Sequence, residues 1–181
     1  MRHIMLDIET LGTKRSSIVL SIGLVAFSAG GIVDTQYHVL DVNAQERVGR
    51  TIDAKTVDWW MRQDSRAQKD VVNAARTSVP HTLLDIKSFI DRRLGDGDGV
   101  WGNGAAFDNE IVKDLFDKFA MNDPWPFWAD RCFRTVKSMR GYRDAVANVD
   151  KGSYAHNALN DATYQANCLI EFNKAIGGIL L

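Results

Sequence analysis

The chain has 181 residues, 45% of them hydrophobic and 25% charged, and a formal net charge of −1. This is the make-up of one ordinary globular domain, 1–181, able to bury most of the surface its unfolded form exposes. It excludes a membrane span, because no apolar run approaches the ~20 residues one needs. Two cysteines, Cys132 and Cys168, cannot build a disulfide framework or a structural zinc site. With no signal-peptide core ahead of Asp7, the expectation is a reducing, cytoplasmic setting and no membrane. The charge argues against a duplex binder held by many phosphate contacts. It leaves open a protein that grips a few nucleotides and takes its local positive charge from bound metal.

In chain order, Ile4 to Glu9 reads as a short strand with Ile4, Leu6 and Ile8 on one face. Asp7 and Glu9 then point from the other face, because side chains alternate along a strand. Ile18 to Phe27 is rich in β-branched residues and suits a buried central strand, and Ser28 to Gly31 is a turn. Ile32 to Leu40 alternates as a third strand, which completes an antiparallel meander. Asp53 suits the N-cap of a helix from Ala54 to Gln63, and Ser65 that of a short helix to about Ala75. Ser78 and Pro80 open a helix whose Leu83, Ile86, Phe89, Ile90 and Leu94 repeat at helical spacing. Gly95 to Gly99 breaks it, and Val100-Trp101-Gly102 is a fourth strand leading into a loop that ends near Asp108. Residues 108–120 carry a clean amphipathic stripe, stopped by Asn122-Asp123-Pro124. Phe127 to Cys132 reads as a fifth strand and Phe133 to Arg140 as a short helix. The polar stretch Gly141 to Ser153 reads as a mobile loop, and the last helix runs from about Leu159 to Ala175. A meander followed by two β/α alternations predicts an α/β domain, a mixed sheet with helices on its faces.

Three places carry chemistry. Asp7-x-Glu9 presents two carboxylates to one side of a strand, where they would repel and split their pKa values unless a shared hard cation intervened. The pair alone is a weak signal, strengthened by its place in an otherwise apolar strand. Asp108 stands where the fourth strand, a Gly102-to-Phe107 loop of small residues and the amphipathic helix meet. It can cap that helix, and the small residues let another molecule approach the backbone. His156 lies five residues before Asp161, on the lead-in to the final helix, where both side chains can reach one spot. Histidine's ordinary titration near neutral pH suits a general base. Competing motifs fail: Asp96-Gly-Asp98 lacks the later ligands of a calcium loop, and Gly102-x-Gly104 lacks the third glycine of a dinucleotide fingerprint.

Together these residues resemble the DnaQ-like, DEDDh exonuclease superfamily. Leu6-Asp7-Ile8-Glu9-Thr10 is similar to its first motif, and Asn103-Gly-Ala-Ala-Phe107-Asp108 to its second. His156-Asn-Ala-Leu-Asn-Asp161-Ala162 is similar to its third, and Ile22-Gly23 is also typical. The stretch from Asp53 to Gln63, with Trp59-Trp60, looks most like small phage and prophage exonucleases of the exodeoxyribonuclease VIII type. The resemblance implies an RNase H-like fold, a five-stranded mixed sheet flanked by helices. It also implies two divalent ions, Mg²⁺ or Mn²⁺, on Asp7, Glu9, Asp108 and Asp161, with His156 deprotonating the attacking water. The implied activity is 3′-to-5′ hydrolysis of nucleic acid to nucleoside 5′-monophosphates. Single-stranded DNA is the favoured substrate and RNA the alternative; a non-catalytic binding module is the rival class. Thr10, Leu11, Asn103, Phe107 and Trp60 are the expected substrate contacts, with one of the two tryptophans in the core and the other towards the substrate. A homodimer is left open.

Overall fold

In the computed structural model, which describes residues 2–72, 76–152 and 155–181, five strands form one mixed sheet. β1 (His3–Thr10), β2 (Val19–Ser28) and β3 (Gly31–Val39) make the antiparallel meander. β4 (Val100–Gly102) and β5 (Asp130–Cys132) continue the sheet beyond β1 in parallel, giving the order β3-β2-β1-β4-β5. The helices among the described residues are α1 (Val42–Arg47), α2 (Ala54–Trp60), α3 (Ser65–Val72), α4 (Val79–Arg93), α5 (Glu110–Lys118), α6 (Phe133–Lys137), α7 (Tyr142–Ala145) and α8 (Ala158–Ala175).

β1 and β2 are buried along almost their whole length, which is why both read as near-continuous apolar runs. Alternation along β1 divides its side chains between two cores. Ile4, Leu6 and Ile8 pack with Leu83, Ile86 and Phe89 of α4 and with Val112 and Leu115 of α5. Met5 packs on the opposite side, with Trp101, Phe133 and the Ala162-Ala166-Leu169 stripe of α8. Asp7 and Glu9 fall on the Met5 face, so the start of α8 covers them. The expected face assignment and the expected mixed sheet are both present.

Several boundaries differ from the sequence reading. α1 was not foreseen; Asp41 caps it by accepting from the backbone N–H groups of Asn43 and Ala44. Its Gln45 is fully buried and acts as a substitute strand neighbour: the side-chain carbonyl accepts from Val19 N at 2.9 Å and its amide donates to Val19 O at 2.8 Å. α2 ends at Trp60 and α6 at Lys137, each three residues early. β5 is also shorter than expected, because Phe127–Ala129 forms a 3₁₀ turn after Pro126, which has no N–H to give a strand ladder. The stretch expected to be a mobile loop contains α7. Tyr142 there is buried, its ring 6.0 Å from that of Phe133 and 5.5 Å from that of Phe172. Polarity hid this anchor, since among the described residues of the stretch only Tyr142, Ala145, Val146 and Val149 join that apolar cluster. Ser153, and the expected helix end at about Ala75, lie outside the described residues.

Candidate active site

β1, β4 and β5 run parallel, so their C-terminal ends open on the same edge of the sheet. Asp7 and Glu9 stand near that end of β1, each 8% exposed. Asp108 follows β4 on a wide π-helical turn, Ala105–Asn109, that precedes α5. Gly102 permits this turn: a Cβ there would sit 2.4 Å from Asn109 Oδ1 and 2.9 Å from Asp108 Cβ. Asp108 does not cap α5 as its place before a helix suggested: Asn109 stands at that N-cap without a side-chain bond, and Asp108 lies inside the π-turn, accepting from Gly104 N at 3.0 Å. Asp161 comes from the first turn of α8, whose N-cap Asn157 accepts from Asn160 N at 3.1 Å. A carboxylate is favoured there by the helix dipole.

His156 lies outside that cap in the left-handed region, with φ of 65°. A non-glycine residue there is strained and persists only when its surroundings hold it. Two contacts do so. The backbone N–H donates to Asp161 Oδ2 at 2.9 Å, and the ring meets that of Trp59 edge-on at 4.8 Å. The result brings ligand atoms of Glu9, His156 and Asp161 within 4.8 Å of one another.

The four carboxylates are mutually repelling and poorly solvated. Burial, then the charges of Asp108, Glu9 and Asp161, hold the Asp7 carboxyl well above the ordinary carboxylate range, while a hydrogen bond from Gln165 pulls the other way. Burial and the charges of Asp161 and Asp108 push Glu9 up to about 8. Burial raises Asp108 to about 6, against backbone N–H bonds that favour its charged form. Burial also raises Asp161, opposed by the His156 backbone N–H. Among the described residues, no lysine or arginine forms an ion pair with any of the four. A largely buried set of carboxylate oxygens with no ion-paired cation among the described residues fits a hard divalent metal, which would discharge this repulsion.

The carboxylates form the floor of a cleft of about 750 Å³. Its wall carries Arg134, Lys137 and Lys151, which the sequence reading did not single out. Arg134 Nε donates to the Asn103 carbonyl at 3.0 Å, tying the α6 cations to the second motif. A usable signal existed: two cations three apart, directly after a strand parallel to β1, must flank the same sheet edge. A second cleft, of about 490 Å³, adjoins the first at Glu9 and Phe107 and is lined by Thr10, Thr56, Trp59 and Trp60.

The expected substrate contacts divide. Asn103 lines the first cleft, Phe107 both, and Thr10 the second. Leu11 lines neither and instead packs with Leu20, Trp60 and Ala67. Of the two tryptophans, Trp60 is the core residue, 6% exposed, with its indole N–H donating to the Thr10 carbonyl at 2.9 Å. Trp59 is 41% exposed and presents the open ring. The expectation of one buried and one open tryptophan holds with the two exchanged, because only Trp60 reaches Thr10.

Residues 2–172 match the family described as the 3′-5′ exoribonuclease Rv2179c-like domain. No protein of curated function matches the sequence. Among solved structures, cell-death related nuclease 4 (CRN-4) superposes with a TM-score of 0.63 at 13% identity, over 97% of this chain and 64% of that one. E. coli exonuclease I in complex with a dA16 oligonucleotide gives 0.64 at 14%, over 96% and 41%. Exonuclease X in complex with 5′ overhanging duplex DNA gives 0.55 at 18%, over 96% and 92%. S. pombe Pop2p in its Mg²⁺- and Mn²⁺-bound form gives 0.60 at 12%, over 98% and 85%. The chain therefore spans less than two thirds of CRN-4 and of exonuclease I, and at these identities the likeness is one of fold. The match over 2–172 covers nearly the whole chain, and with it the chain belongs to the Rv2179c-like family of 3′-5′ exoribonuclease domains, on the RNase H-like fold of these solved nucleases.

Proposed function

We propose that this chain, as a single domain, removes nucleotides one at a time from single-stranded 3′ ends, releasing nucleoside 5′-monophosphates. The observation that carries the reading is the cluster of buried Asp7, Glu9 and Asp108 with half-buried Asp161, His156 lying within 4.8 Å of Glu9 and Asp161 and no cationic side chain among the described residues ion-paired to it. Asp7, Glu9, Asp108 and Asp161 would hold two divalent ions, Mg²⁺ or Mn²⁺. Bound there, such ions stabilise charge on the entering and leaving oxygens of an in-line displacement at phosphorus. His156 takes the proton of the attacking water, whose oxygen displaces the 3′-oxygen of the penultimate nucleotide. Asp161 holds the His156 backbone and Trp59 packs edge-on against its ring. Lys137 and Lys151 line the wall at a place suited to the phosphates of the upstream strand. Phe107 and Trp59 offer ring faces to the terminal bases, and stacking of this kind contributes about 1–3 kcal/mol per base.

The family description puts RNA ahead of the single-stranded DNA that the sequence favoured. DNA is the second reading, because exonuclease I and exonuclease X hold DNA on the same fold. Two free cysteines support a reducing, cytoplasmic setting, and no helix among the described residues is long and apolar enough to cross a membrane. The test is a matched pair of 5′-labelled RNA and DNA oligonucleotides, incubated with Mg²⁺, Mn²⁺ or EDTA. The expected result is a ladder shortening from the 3′ end with metal, faster on RNA, and none with EDTA. Faster cleavage of DNA would exchange the two readings. No mononucleotide release with either metal on either polymer would overturn both.

A further inference from the structure

α8 carries a second polar residue on the face that meets β1. Gln165 follows Asp161 by four residues, so the two share one side of the helix. Ala158, Ala162 and Ala166 are fully buried around them and let the helix lie close to the sheet. Gln165 is 5% exposed, and its Nε2 donates to Asp7 Oδ1 at 2.6 Å. Against an ionised Asp7 the amide takes this orientation, since the reverse would set two oxygens against each other at the same distance. Its Oε1, at the border of the first cleft, has no partner among the described residues. A buried amide with one end unpaired is a poor choice for packing alone, where methionine would fill the same volume with no unpaired acceptor.

We propose that Gln165 is the positioning residue of Asp7. Its N–H fixes the rotation of the carboxylate, and its free Oε1 accepts from an O–H donor that enters with the loaded site. The inference rests on the proposed function, since it takes Asp7 as a metal ligand. Groups that orient a metal ligand in this way typically change metal affinity 10–100-fold when removed.

The experiment is calorimetric titration of the protein with MnCl₂, without nucleic acid, for wild type, Gln165→Met and Gln165→Asn, with thermal unfolding of each in EDTA. Methionine conserves volume and removes donor and acceptor; asparagine keeps the amide but falls one methylene short of Asp7. Both variants should bind Mn²⁺ about 10–100-fold more weakly, with the unfolding temperature in EDTA near that of wild type. In the exonuclease assay the loss should appear as a higher Mn²⁺ requirement that excess metal recovers. If either variant folds and binds Mn²⁺ as wild type does, the positioning role is overturned. If Gln165→Met does not fold, Gln165→Asn decides. Wild type that binds Mn²⁺ but cleaves neither polymer would sink the proposed function and leave the binding comparison to judge Gln165. Wild type that binds no Mn²⁺ would sink both.

Discussion

Gly23 is where the fold and the site constrain each other most directly. It lies on β2 opposite Asp7, beneath the start of α8. A Cβ at this position would lie 2.3 Å from both the carbonyl carbon and oxygen of Ala158, and 2.5 Å from Leu159 N. These are backbone atoms of the helix, so no rotamer change relieves the clash. Reaching ordinary contact requires α8 to retreat by about 1 Å, and residues 156–161, which carry His156 and Asp161, move with it. Overpacking of this kind costs about 1–3 kcal/mol, or a fall of roughly 2–12 °C in Tm for a domain of this size. A displacement of about 1 Å between reacting groups costs on the order of 10²-fold in rate. Gly23→Ala is therefore expected to lose more activity than stability. The assay pairs thermal unfolding in EDTA with kcat at saturating Mn²⁺ on a 5′-labelled oligonucleotide. Gly30→Ala is the control, because a Cβ there meets only the Ser28 hydroxyl at 3.6 Å. Gly23→Ala with unchanged Tm and kcat would refute the packing of α8 on this strand and the site geometry built on it.

Other outcomes follow from the same geometry. Asp7→Ala should abolish metal-dependent cleavage, whereas His156→Ala should lower kcat by ~10²–10⁴ while Mn²⁺ affinity, read by calorimetry, is retained; a matching loss of affinity would make His156 a ligand and not a base. Removing Lys137 and Lys151 should weaken strand binding and reduce the slope of log affinity against log salt by about 0.7 per lost phosphate contact; an unchanged slope would place the strand elsewhere. A carboxyl whose pKa is higher folded than unfolded stabilises the fold below its unfolded value, and that stability is lost as pH rises through the folded one. For Glu9 the window runs from 4.5 to about 8. In EDTA, Glu9→Gln, which stays neutral, should gain Tm over wild type as pH rises through that window, and a gap independent of pH would contradict the burial argument.

How far the sequence could be read depended on whether a residue's role was local. Asp7 and Glu9 were legible because period-two alternation in an apolar strand sets their face, and Ile4, Leu6 and Ile8 behave accordingly in the opposite core. Asp108 and the His156/Asp161 pair were legible from their places at helix starts. Roles set by tertiary contact were not. Nothing local distinguishes Trp59 from Trp60; the choice falls to a hydrogen bond from the Trp60 ring to Thr10, fifty residues away in the chain. The bond between Gln165 and Asp7 spans 158 residues and leaves no trace in either neighbourhood. Gln45 was missed for the same reason, since its partner is the backbone of Val19 on another element.

The departures from ordinary folding rules gather at one place. Most of the sheet and both apolar layers follow propensity and pattern, as minimally frustrated sequences do. At the C-terminal end of β1 the rules break together: four carboxylates are packed where an apolar floor would be more stable, His156 has φ of 65°, a π-turn opens the helix that carries Asp108, and Gln165 keeps an unpaired oxygen. Each of these lowers stability alone, and the contacts that offset them in part, Gln165 on Asp7 and the His156 backbone N–H on Asp161, bring no paired cation to the floor among the described residues. A compensation from outside is what they share, and only a cation at the floor answers the repulsion, the raised carboxyls and the missing counter-charge at once. The same cation resolves the −1 net charge. On the proposed function, Arg134, Lys137 and Lys151 on the wall attract a phosphodiester, while the floor offers it no positive charge until metal binds. Gripping the strand and cutting it would then fall to different charges in one cleft, and metal removal would separate the two.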